Sequence, residues 1–479
     1  MKICVLQPDY STSKVDYQYF DPPRNLADLL PNDTVQHVFL NKLTTYSQLK
    51  SLRKENFDIF VNLCEGYLEW EVPSIDVIHS LEMLNLPYTG PTPQLYDPPK
   101  SLMKYVAWCE GVKIPASKLA KTLQNCEEIT KILRFPLFVK PEKAGDSLGI
   151  DDKSKVTNKQ ELLEKVAELL IEFDEILVEE YIEGREFTVL VAANANKNCQ
   201  VFKPIEYIFP DNFSFKTYAL KTSELHPDCN VPCEDMAIEQ ELKHAAEKIF
   251  KAFNGEGYAR LDFRMNDKNE LFFLEINFTC SVFYKDGYEG SADFILKFDG
   301  IGQDGFLKKI IDEGIERFVR KQKKYELTQN AISGFGIYAR INIAKNEVIF
   351  NGEGRSQRII TKRFATENWT PEAQQDFARY AYPISSEVFI LWDENPAEWA
   401  PQNHSCDANT TFDGLNVVAN RLIKVGEELT LDYSTLLDEN AESFECQCKS
   451  VNCKGIIEGI KGNSITFREK RQNQNQGKP

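Results

Sequence analysis

Four cysteines in the last third of the chain have the residue type and the spacing of a closed metal site. Cys446, Cys448 and Cys453 form a Cys-x-Cys pair followed by a third thiol, and Cys406 stands upstream. Structural zinc prefers four soft ligands in a tetrahedron, and one short loop supplies three of them here. The sequence therefore predicts a structural Zn2+ bound by these four cysteines, an arrangement that would also fasten the C-terminal loop.

Polar side chains recur at alternate positions of two predicted strands. The strands cover residues 258–263 and 271–277. Because strand side chains alternate between faces, Arg260 and Asp262 share one side, and so do Glu275 and Asn277. Mg2+ prefers carboxylate and amide oxygens together with phosphate, and a neighbouring arginine can hold a phosphoryl group in transfer. A nucleotide and metal site is one interpretation, and an ordinary hairpin with exposed polar positions is the other.

A lysine and a glycine-containing loop lie upstream of these strands. Lys140 ends an apolar strand, and the loop at residues 142–149 follows it. Backbone N–H groups of such a loop can approach phosphates closely while the lysine supplies positive charge. The acid-rich segment 177–189 comes next, and its carboxylates could accept hydrogen bonds from an adenine amino group and ribose hydroxyls.

A third group of motifs surrounds the cysteines. The glycines at 334 and 336 permit a tight turn whose backbone is free to meet a ligand. Cys406 belongs to an Asn-His-Ser-Cys sequence that begins at Asn403, and the segment 427–433 ends in an aspartate and Tyr433. We predict that these residues lie around a chemical site rather than a purely structural one.

Gross composition limits the class of protein. The chain has 479 residues, 42% of them apolar and 27% charged, without the run of about eighteen apolar residues that a membrane span needs. Its length exceeds one hydrophobic core, so several domains are expected. A formal net charge of -17 disfavours a nucleic-acid partner. The 12 cysteines lack a secretory context, so we expect a reducing compartment and a cytoplasmic protein.

Periodicity indicates the elements that must position these residues. Short apolar runs alternate with helical patterns through the first two thirds, which predicts an α/β layer architecture. Strands are expected at residues 3–6, 59–62 and 86–89, and helices at 73–84, 158–173 and 235–253. After about residue 324, short strands punctuated by glycines predict a mostly β domain.

Taken in order, the segments of the first two thirds resemble the ATP-grasp family, and within it the D-alanine:D-alanine ligases. The resemblance covers about residues 1–318 and includes motifs at 62–66, 87–90 and 215–218. It implies an ATP-grasp fold of three subdomains. It also implies a reaction in which a carboxylate is activated as an acyl phosphate, which an amine then attacks to give an amide.

The same resemblance implies roles for single residues. Arg260 would stabilise the charge that develops during phosphoryl transfer. The ATP phosphates would be contacted by Lys100, Lys140 and Lys216. The nucleoside would be held by Glu180 and Glu186. Two Mg2+ ions would be bound by Asp262, Glu275 and Asn277.

Two departures from the family pattern concern the substrates. Such ligases usually follow the metal-binding Asn with a Pro-Gly turn that helps to hold the second amino acid's carboxylate. Here Asn277 precedes Phe-Thr-Cys-Ser at residues 278–281, and Gln-Pro-Asp-Tyr-Ser at 7–11 replaces the usual glycine-rich first loop. The sequence therefore predicts an ATP-dependent ligase without predicting D-alanine as its substrate.

The motifs of the last third, in their order across about residues 326–460, resemble a SET domain with a cysteine-rich post-SET loop. The resemblance implies S-adenosylmethionine (SAM) bound near Tyr433 by a set of four further residues. They are Gly336, Tyr338, Asn403 and His404. Such domains methylate lysine side chains, and transfer needs a neutral amine in line with the methyl carbon, so the site contributes positioning and removal of water. By the same resemblance, the phenolic oxygen of Tyr433 would orient the amine and polarise the transferring methyl group.

Some residues of this part keep a second interpretation. Tyr380 and Tyr382 could line the amine channel or pack near a helix end. His404 could be a hydrogen-bonded core histidine. Ala408 stands where the usual motif has proline, which should change local stiffness more than chemistry.

The predicted fold is a multidomain α/β ATP-grasp part followed by a mostly β SET domain. The predicted boundaries are 1–105, 106–190 and 191–318 for the N-terminal, central and C-terminal ATP-grasp subdomains, 319–328 for a linker, 329–440 for the SET domain, 441–460 for the post-SET zinc loop and 461–479 for a disordered tail.

The predicted function is a bifunctional enzyme, an ATP- and Mg2+-dependent carboxylate-amine ligase joined to a SAM-dependent amine methyltransferase. Its substrate would be an amino acid, a peptide or a protein lysine, with neither nucleic acid nor membrane as partner. The oligomeric state stays open, and a homodimer is one option. In the alternative hypothesis, the ligase-like part is only a nucleotide-regulated recognition module that serves a protein-lysine methyltransferase.

Overall fold

The computed structural model of the chain describes residues 1–14, 21–65, 71–145, 147–194, 198–210, 213–215, 227–330, 332–385, 387–392, 402–437 and 443–459. The chain divides into two compact units, Met1–Lys321 and Gln322–Pro479. Two predictions, the phosphate contact of Lys216 and the disordered tail at 461–479, lie outside the described residues. No helix within the described ranges combines the length and apolar character that a membrane crossing requires.

The first unit begins with a parallel sheet whose strand order is Thr34–Asn41, Lys2–Asp9 and Ile59–Asn62. The helices of this region are Thr45–Leu52 and Ile75–Met83. The central strand is buried on both faces, with Ile3 in one apolar cluster and Cys4 in another. A continuous apolar run is typical of such a strand, so the sequence predicts it well.

A second sheet of the first unit is antiparallel and contains Lys140. Its strands, in spatial order, are Ser117–Ala120, Ile176–Glu180, Leu137–Pro141 and Lys155–Val156. The helices near it in sequence are Lys100–Cys109, Asn125–Ile132 and Lys159–Leu169. The last of these begins where the side chain of Asn158 accepts a hydrogen bond from the backbone N–H of Glu161, which is an N-cap.

The third sheet carries the predicted metal ligands. Its strands run in the order Asn230–Pro232, Ile205–Tyr207, Arg185–Ala193, Tyr258–Met265 and Leu271–Asn277, and Cys199–Val201 pairs with Arg185–Ala193. The helices of this part of the chain are Met236–Ala252, which precedes the last two of these strands, and Ser291–Asp299 and Gly302–Lys321, which follow them. Asp235 caps the first of them through its side chain, as the predicted start at 235 requires.

The second unit consists mainly of short strands around a small core. The strands are Tyr325–Asn330, Gly334–Ala339, Val348–Phe350, Gln357–Thr361, Tyr382–Pro383, Val388–Trp392, Asn403–His404, Thr410–Asp413, Asn416–Ala419, Thr430–Leu431, Phe444–Glu445 and Ile456–Ile457. The helices are Lys362–Asn368 and Pro371–Tyr380. Ile337, Ile423 and Leu429 are fully buried in the core, which confirms the predicted strand-rich character of this part.

The structure gives detail at the predicted linker and differs from the prediction at one strand. Residues 319–328, predicted as a linker, contain the end of the helix Gly302–Lys321 and the start of the strand Tyr325–Asn330. The helix extends because Arg320 and Lys321 in its last turn suit the negative end of the helix dipole. Residues 86–89, predicted as a strand, form only an isolated bridge between Tyr88 and Phe60.

Candidate active sites

The hairpin at the edge of the third sheet brings the predicted magnesium ligands together. Its register sets Arg260 opposite Asn277 and Asp262 opposite Glu275, so the four side chains share one face. Asn277 Nδ2 lies 3.4 Å from Asp262 Oδ2 and 3.5 Å from Glu275 Oε1. Two carboxylates and an amide that converge in this way form the oxygen-rich donor set that Mg2+ prefers.

A β-bulge shapes the same hairpin. The register shifts directly after Asp262, and Leu274 is the extra residue on the second strand. Bulges bend a strand and re-aim its side chains, and they are common beside active sites. The carbonyl of Leu274 accepts a hydrogen bond from Lys104 Nζ at 3.3 Å. The bulge therefore connects the hairpin that carries the predicted metal ligands to the helix Lys100–Cys109.

Arg260 is held beside the metal ligands. Its Nη2 donates to Asp262 Oδ2 at 3.1 Å, and Thr188 Oγ1 donates to Asp262 Oδ1 at 2.9 Å. Burial lowers the pKa of Arg260, but the Asp262 carboxylate outweighs burial and the pKa lies above its ordinary value. A permanent positive charge therefore stands where phosphoryl transfer would build up negative charge.

Two lysines share one buried carboxylate next to this hairpin. Glu179 lies 2.8 Å from Lys140 Nζ and 2.6 Å from Lys104 Nζ, and all three side chains are buried. Lys140 Nζ is also 4.0 Å from Glu275. Burial lowers the pKa of Lys140, but Glu179 and Glu275 outweigh it and raise the pKa above the ordinary value. Lys140 therefore stays charged beside the predicted metal ligands.

Lys104 and Glu179 were not predicted as site residues, although the sequence contains a signal for the first. Lys104 follows Lys100 by one helical turn, and residues so spaced lie on the same face of a helix. Lys100 Nζ donates to the carbonyl of Ala144 at 2.7 Å, which anchors the predicted phosphate loop. Burial lowers the pKa of Lys100, and the nearby charge of Glu275 opposes that shift.

The two glutamates predicted to hold the nucleoside lie in different surroundings. Lys140 pairs across the sheet with Leu177, so Lys140 shares a face with Glu179, whereas Glu180 lies on the other face. Glu180 instead accepts a hydrogen bond from the backbone N–H of Arg134 at 3.0 Å. The structure therefore places Glu179, and not Glu180, with the lysines of the site.

Glu186 does lie on the face of the metal ligands. It pairs across the sheet with Arg264, two positions from Asp262, and its carboxylate is 3.5 Å from Arg264 Nε. The Arg264 guanidinium lies over the ring of Tyr181 at 4.7 Å. The buried cation Arg264 thus lies two positions from Asp262 on the same strand, with a buried carboxylate and an aromatic ring beside it.

The four predicted zinc ligands converge in the second unit. Their Sγ atoms all lie within 4.8 Å of one another, and Cys406 Sγ is 3.8 Å from Cys446 Sγ. Tetrahedral zinc with Zn–S bonds of about 2.3 Å separates its sulfurs by about 3.8 Å, so the cluster of Cys406, Cys446, Cys448 and Cys453 fits the ion. Burial raises the pKa of Cys448, but hydrogen bonds, first that with Ser450, outweigh it and bring the pKa to about 5.

His404 connects the cysteine cluster with Tyr433. Its Nδ1 accepts a hydrogen bond from the backbone N–H of Tyr433 at 3.0 Å, and its Nε2 lies 3.3 Å from Cys406 Sγ. Burial lowers the pKa of His404, which favours the neutral ring. The hydroxyl of Tyr433 donates to the carbonyl of Gln402. Through His404, hydrogen-bond contacts therefore connect Tyr433, the tyrosine predicted to act in methyl transfer, with Cys406 of the cysteine cluster.

The other predicted SAM residues lie close by. Asn403 Nδ2 donates to the carbonyl of Phe335 at 2.9 Å, which fixes the strand that carries Gly336 and Tyr338. Tyr382 stacks on Phe412 with ring centroids 4.5 Å apart, as its packing interpretation expects. The side chain of Tyr380 lies outside the described part of the structure.

Comparisons with known proteins support both resemblances. The family model "D-ala D-ala ligase C-terminus" matches residues 109–282, and the model "SET domain" matches residues 334–434. A D-alanine–D-alanine ligase of Bacillus velezensis is 31% identical over 258 residues, which are 50% of this chain and 68% of that ligase. The chain belongs to the D-alanine–D-alanine ligase family. In this family member, the second unit adds a SET domain.

Other relatives of the ligase family agree with this result. The ligase of Legionella pneumophila (strain Corby) is 34% identical over 192 residues, so the match spans 37% of this chain and 51% of that ligase. The chain thus spans about half the length of that relative. A D-alanine–D-alanine ligase of Bacillus anthracis solved in complex with ATP has a TM-score of 0.50 at 20% identity, covering 67% of this chain and all of that one, which shows the ATP-grasp fold of the first unit.

Proposed function

We propose that this protein is a bifunctional enzyme, with a carboxylate-amine ligase in its first unit and an amine N-methyltransferase in its second. The observation that carries the ligase half is the convergence of Asp262, Glu275 and Asn277 beside Arg260 and Lys140. Carboxylate and amide oxygens next to two cations, of which Lys140 is buried, suit a metal-bound triphosphate.

In the ligase half, each residue would act through charge and position. Asp262, Glu275 and Asn277 would hold Mg2+, and Lys100, Lys140 and Lys216 would bind the phosphates. Bound ATP supplies the phosphoryl group that activates the carboxylate. Arg260 keeps its charge and stabilises the transferring phosphoryl group, because Asp262 fixes its orientation and raises its pKa. Glu186 and Glu179 would face the nucleotide from the two neighbouring sheets.

In the methyltransferase half, Gly336, Tyr338, Asn403 and His404 would bind SAM. Bound SAM supplies an electrophilic methyl group. Tyr433 would orient the acceptor amine through its hydroxyl, which the Gln402 carbonyl already holds in place. The acceptor would be an amino acid, a peptide or a protein lysine, and the zinc loop at residues 443–459 would fasten the edge of the pocket. We place this reaction in the cytoplasm.

A phosphate-release assay with ATP, Mg2+ and pools of amino acids tests the ligase half. Release of phosphate from ATP should require an amino-acid substrate. The rate of this release should fall at least about 100-fold in Asp262→Asn, because the variant loses the negative charge of a proposed metal ligand. A parallel assay with labelled SAM tests the other half, and Tyr433→Phe should transfer methyl groups more slowly. Undiminished transfer by this variant would remove Tyr433 from the mechanism.

One observation favours a second candidate function, in which the first unit is only a nucleotide-regulated recognition module. Two of the four residues that stand in place of the Pro-Gly turn after Asn277 are buried: Phe278 is 1% exposed and Cys280 is 4% exposed. A pocket for the attacking amine would differ from that of the relatives. This function predicts nucleotide binding without substrate-dependent phosphate release, so the same assay separates the two proposals.

A further inference from the structure

A carboxylate that the sequence did not single out lies among the predicted SAM residues. Glu428 Oε1 accepts a hydrogen bond from Asn403 Nδ2 at 2.7 Å. Asn330 Nδ2 lies 2.9 Å from Oε1 and 3.0 Å from Oε2 of the same carboxylate. The amide of Asn330 also donates to the hydroxyl of Tyr338 at 3.0 Å. Glu428 is thus the common acceptor of two side-chain amides.

The glycine at position 336 makes room for this carboxylate. A Cβ atom at position 336 would lie 2.3 Å from Glu428 Oε1, which is shorter than the van der Waals contact distance of the two atoms. The backbones of Tyr338 and Glu428 also pair in an antiparallel bridge. Glu428 therefore touches or pairs with three of the four residues predicted to bind SAM, and any side chain at position 336 would have to displace its carboxylate.

Within the described part of the chain, no protein cation pairs with the carboxylate of Glu428. Among the residues that the structure describes, its partners are neutral amides, and no lysine, arginine or histidine pairs with it. The neighbouring Glu427 contrasts with it, because its Oε2 pairs with Arg421 at 2.7 Å. An ionised carboxylate can accept about four hydrogen bonds. Glu428 is half-buried, and a cationic donor would stabilise a carboxylate in such surroundings.

We propose that Glu428 binds the α-ammonium group of SAM. This inference rests on the proposed methyltransferase function and adds to it the residue that recognises the amino-acid end of the ligand. The Asn403 and Asn330 amides hold the carboxylate in a fixed orientation, so little side-chain freedom is lost when the ammonium binds. The arrangement selects ligands that carry a positive charge next to the strand Gly334–Ala339.

Calorimetric binding of two ligands to the full-length protein tests the proposal. S-Adenosylhomocysteine carries the ammonium, whereas 5′-methylthioadenosine keeps the nucleoside and thioether but lacks the amino-acid group. Glu428→Gln should weaken S-adenosylhomocysteine about 10- to 100-fold, the range expected for a lost hydrogen bond to a charged group. Binding of methylthioadenosine should stay within about twofold of the wild-type value, because no charge contact is lost.

Two further variants make the outcome decisive. Glu427→Gln is the matched control, and it should leave the affinity for both ligands unchanged. Glu428→Asp keeps the charge with a shorter side chain, so it should lose less affinity for S-adenosylhomocysteine than Glu428→Gln does and serves as the test variant if the glutamine variant does not fold.

Three results would overturn the proposal. Equal loss of both ligands in the Glu428 variants would assign Glu428 to holding Asn403 and Asn330 only. Unchanged affinity for S-adenosylhomocysteine would show that Glu428 does not contact it. If the wild-type protein bound neither ligand, the methyltransferase function itself would fail, and that result differs from a failure confined to the variants.

Discussion

At the scale of single residues, the buried group of Lys104, Glu179 and Lys140 shows how a lysine of the proposed nucleotide site stays charged. Burial raises the pKa of Glu179, but the two lysines outweigh it and lower the pKa below the ordinary value. Burial also lowers the pKa of Lys104. Glu179 carries one negative charge and pairs with two lysines, Lys104 and Lys140. Part of the positive charge of Lys140 is therefore not balanced by Glu179 and is available to a phosphate.

Replacing Lys104 with methionine tests this role. Lys104→Met should lower the free energy of unfolding by about 3 kcal/mol, because a buried carboxylate loses one of its partners. It should also weaken ATP binding, since Glu179 then pairs with Lys140 alone. Calorimetry measures both quantities. The control is Lys113→Met, which breaks an exposed pair with Glu270 and should cost less than about 1 kcal/mol; equal losses in the two variants would contradict this account.

Glu65 gives a residue-scale prediction on pH. Its carboxylate accepts a hydrogen bond from Tyr258 Oη at 3.2 Å and lies 3.2 Å from Arg24 Nη1. Burial raises the pKa of Glu65 to about 8 from the ordinary 4.5, although Arg24 opposes the shift. Asp21, at 3.3 Å from Arg24 Nη2, supplies a counter-charge for the guanidinium when Glu65 is protonated.

The sign of the pH dependence follows from this raised pKa. The folded protein binds the proton more tightly than the unfolded chain, so the stabilisation is complete below about pH 4.5 and is lost as the pH rises through about 8. Between pH 5.5 and 7.5, the stability of the wild type relative to Glu65→Gln should fall by about 1.4 kcal/mol per pH unit. Calorimetric unfolding of both proteins measures the difference, and parallel pH profiles would refute the prediction.

At the scale of elements, the sequence predicts the hairpin that carries Asp262 and Asn277 but not the irregularity in its register. The alternation of polar and apolar residues in 258–263 and 271–277 places Arg260, Asp262 and Asn277 on one face, as observed. The bulge at Leu274 could not be predicted, because neither glycine nor any other turn residue marks it. The bulge depends on a tertiary contact, the hydrogen bond from a helix distant in sequence.

The strand Ile176–Glu180 shows why sequence alone does not settle which of two adjacent glutamates faces the lysines. Two adjacent glutamates, 179 and 180, end this strand, and only the pairing with Leu137–Pro141 decides which of them faces Lys140. A shift of one residue exchanges the faces of a strand, so residue type does not settle the assignment. The register places Glu179 on the face of Lys140, and the nucleoside contact of Glu180 stays a prediction.

The zinc loop leads to an element-scale prediction. Cys446→Ser should abolish bound zinc and increase hydrogen exchange at residues 443–459, because a structural zinc site stabilises a small loop directly. Elemental analysis and hydrogen exchange measure the two effects. Cys109→Ser, which changes an exposed cysteine of the first unit, is the control and should keep the zinc. Full zinc content in Cys446→Ser would exclude this cysteine as a ligand.

At the scale of the whole molecule, the chain joins two units that bind different ligands in the proposed function. A ligand that binds only the folded state raises the unfolding temperature of the unit that contains its site. ATP with Mg2+ should therefore raise the transition of Met1–Lys321, and S-adenosylhomocysteine that of Gln322–Pro479. Differential scanning calorimetry measures the shifts, with Asp262→Asn as the control that should lose the first of them. A shift of neither transition by either ligand would contradict the proposal.

The last helix of the first unit determines where that unit can be cut for separate expression. Arg317 is buried in this helix, and its guanidinium donates to the carbonyl of Gly90 at 2.8 Å and to that of Tyr88 at 2.7 Å. The family match stops at residue 282, before this helix. A fragment truncated there would leave both carbonyls without these donors and would also remove Phe306 and Ile310 from the apolar core. A gene fragment that tests the proposed ligase reaction must therefore extend through codon 321.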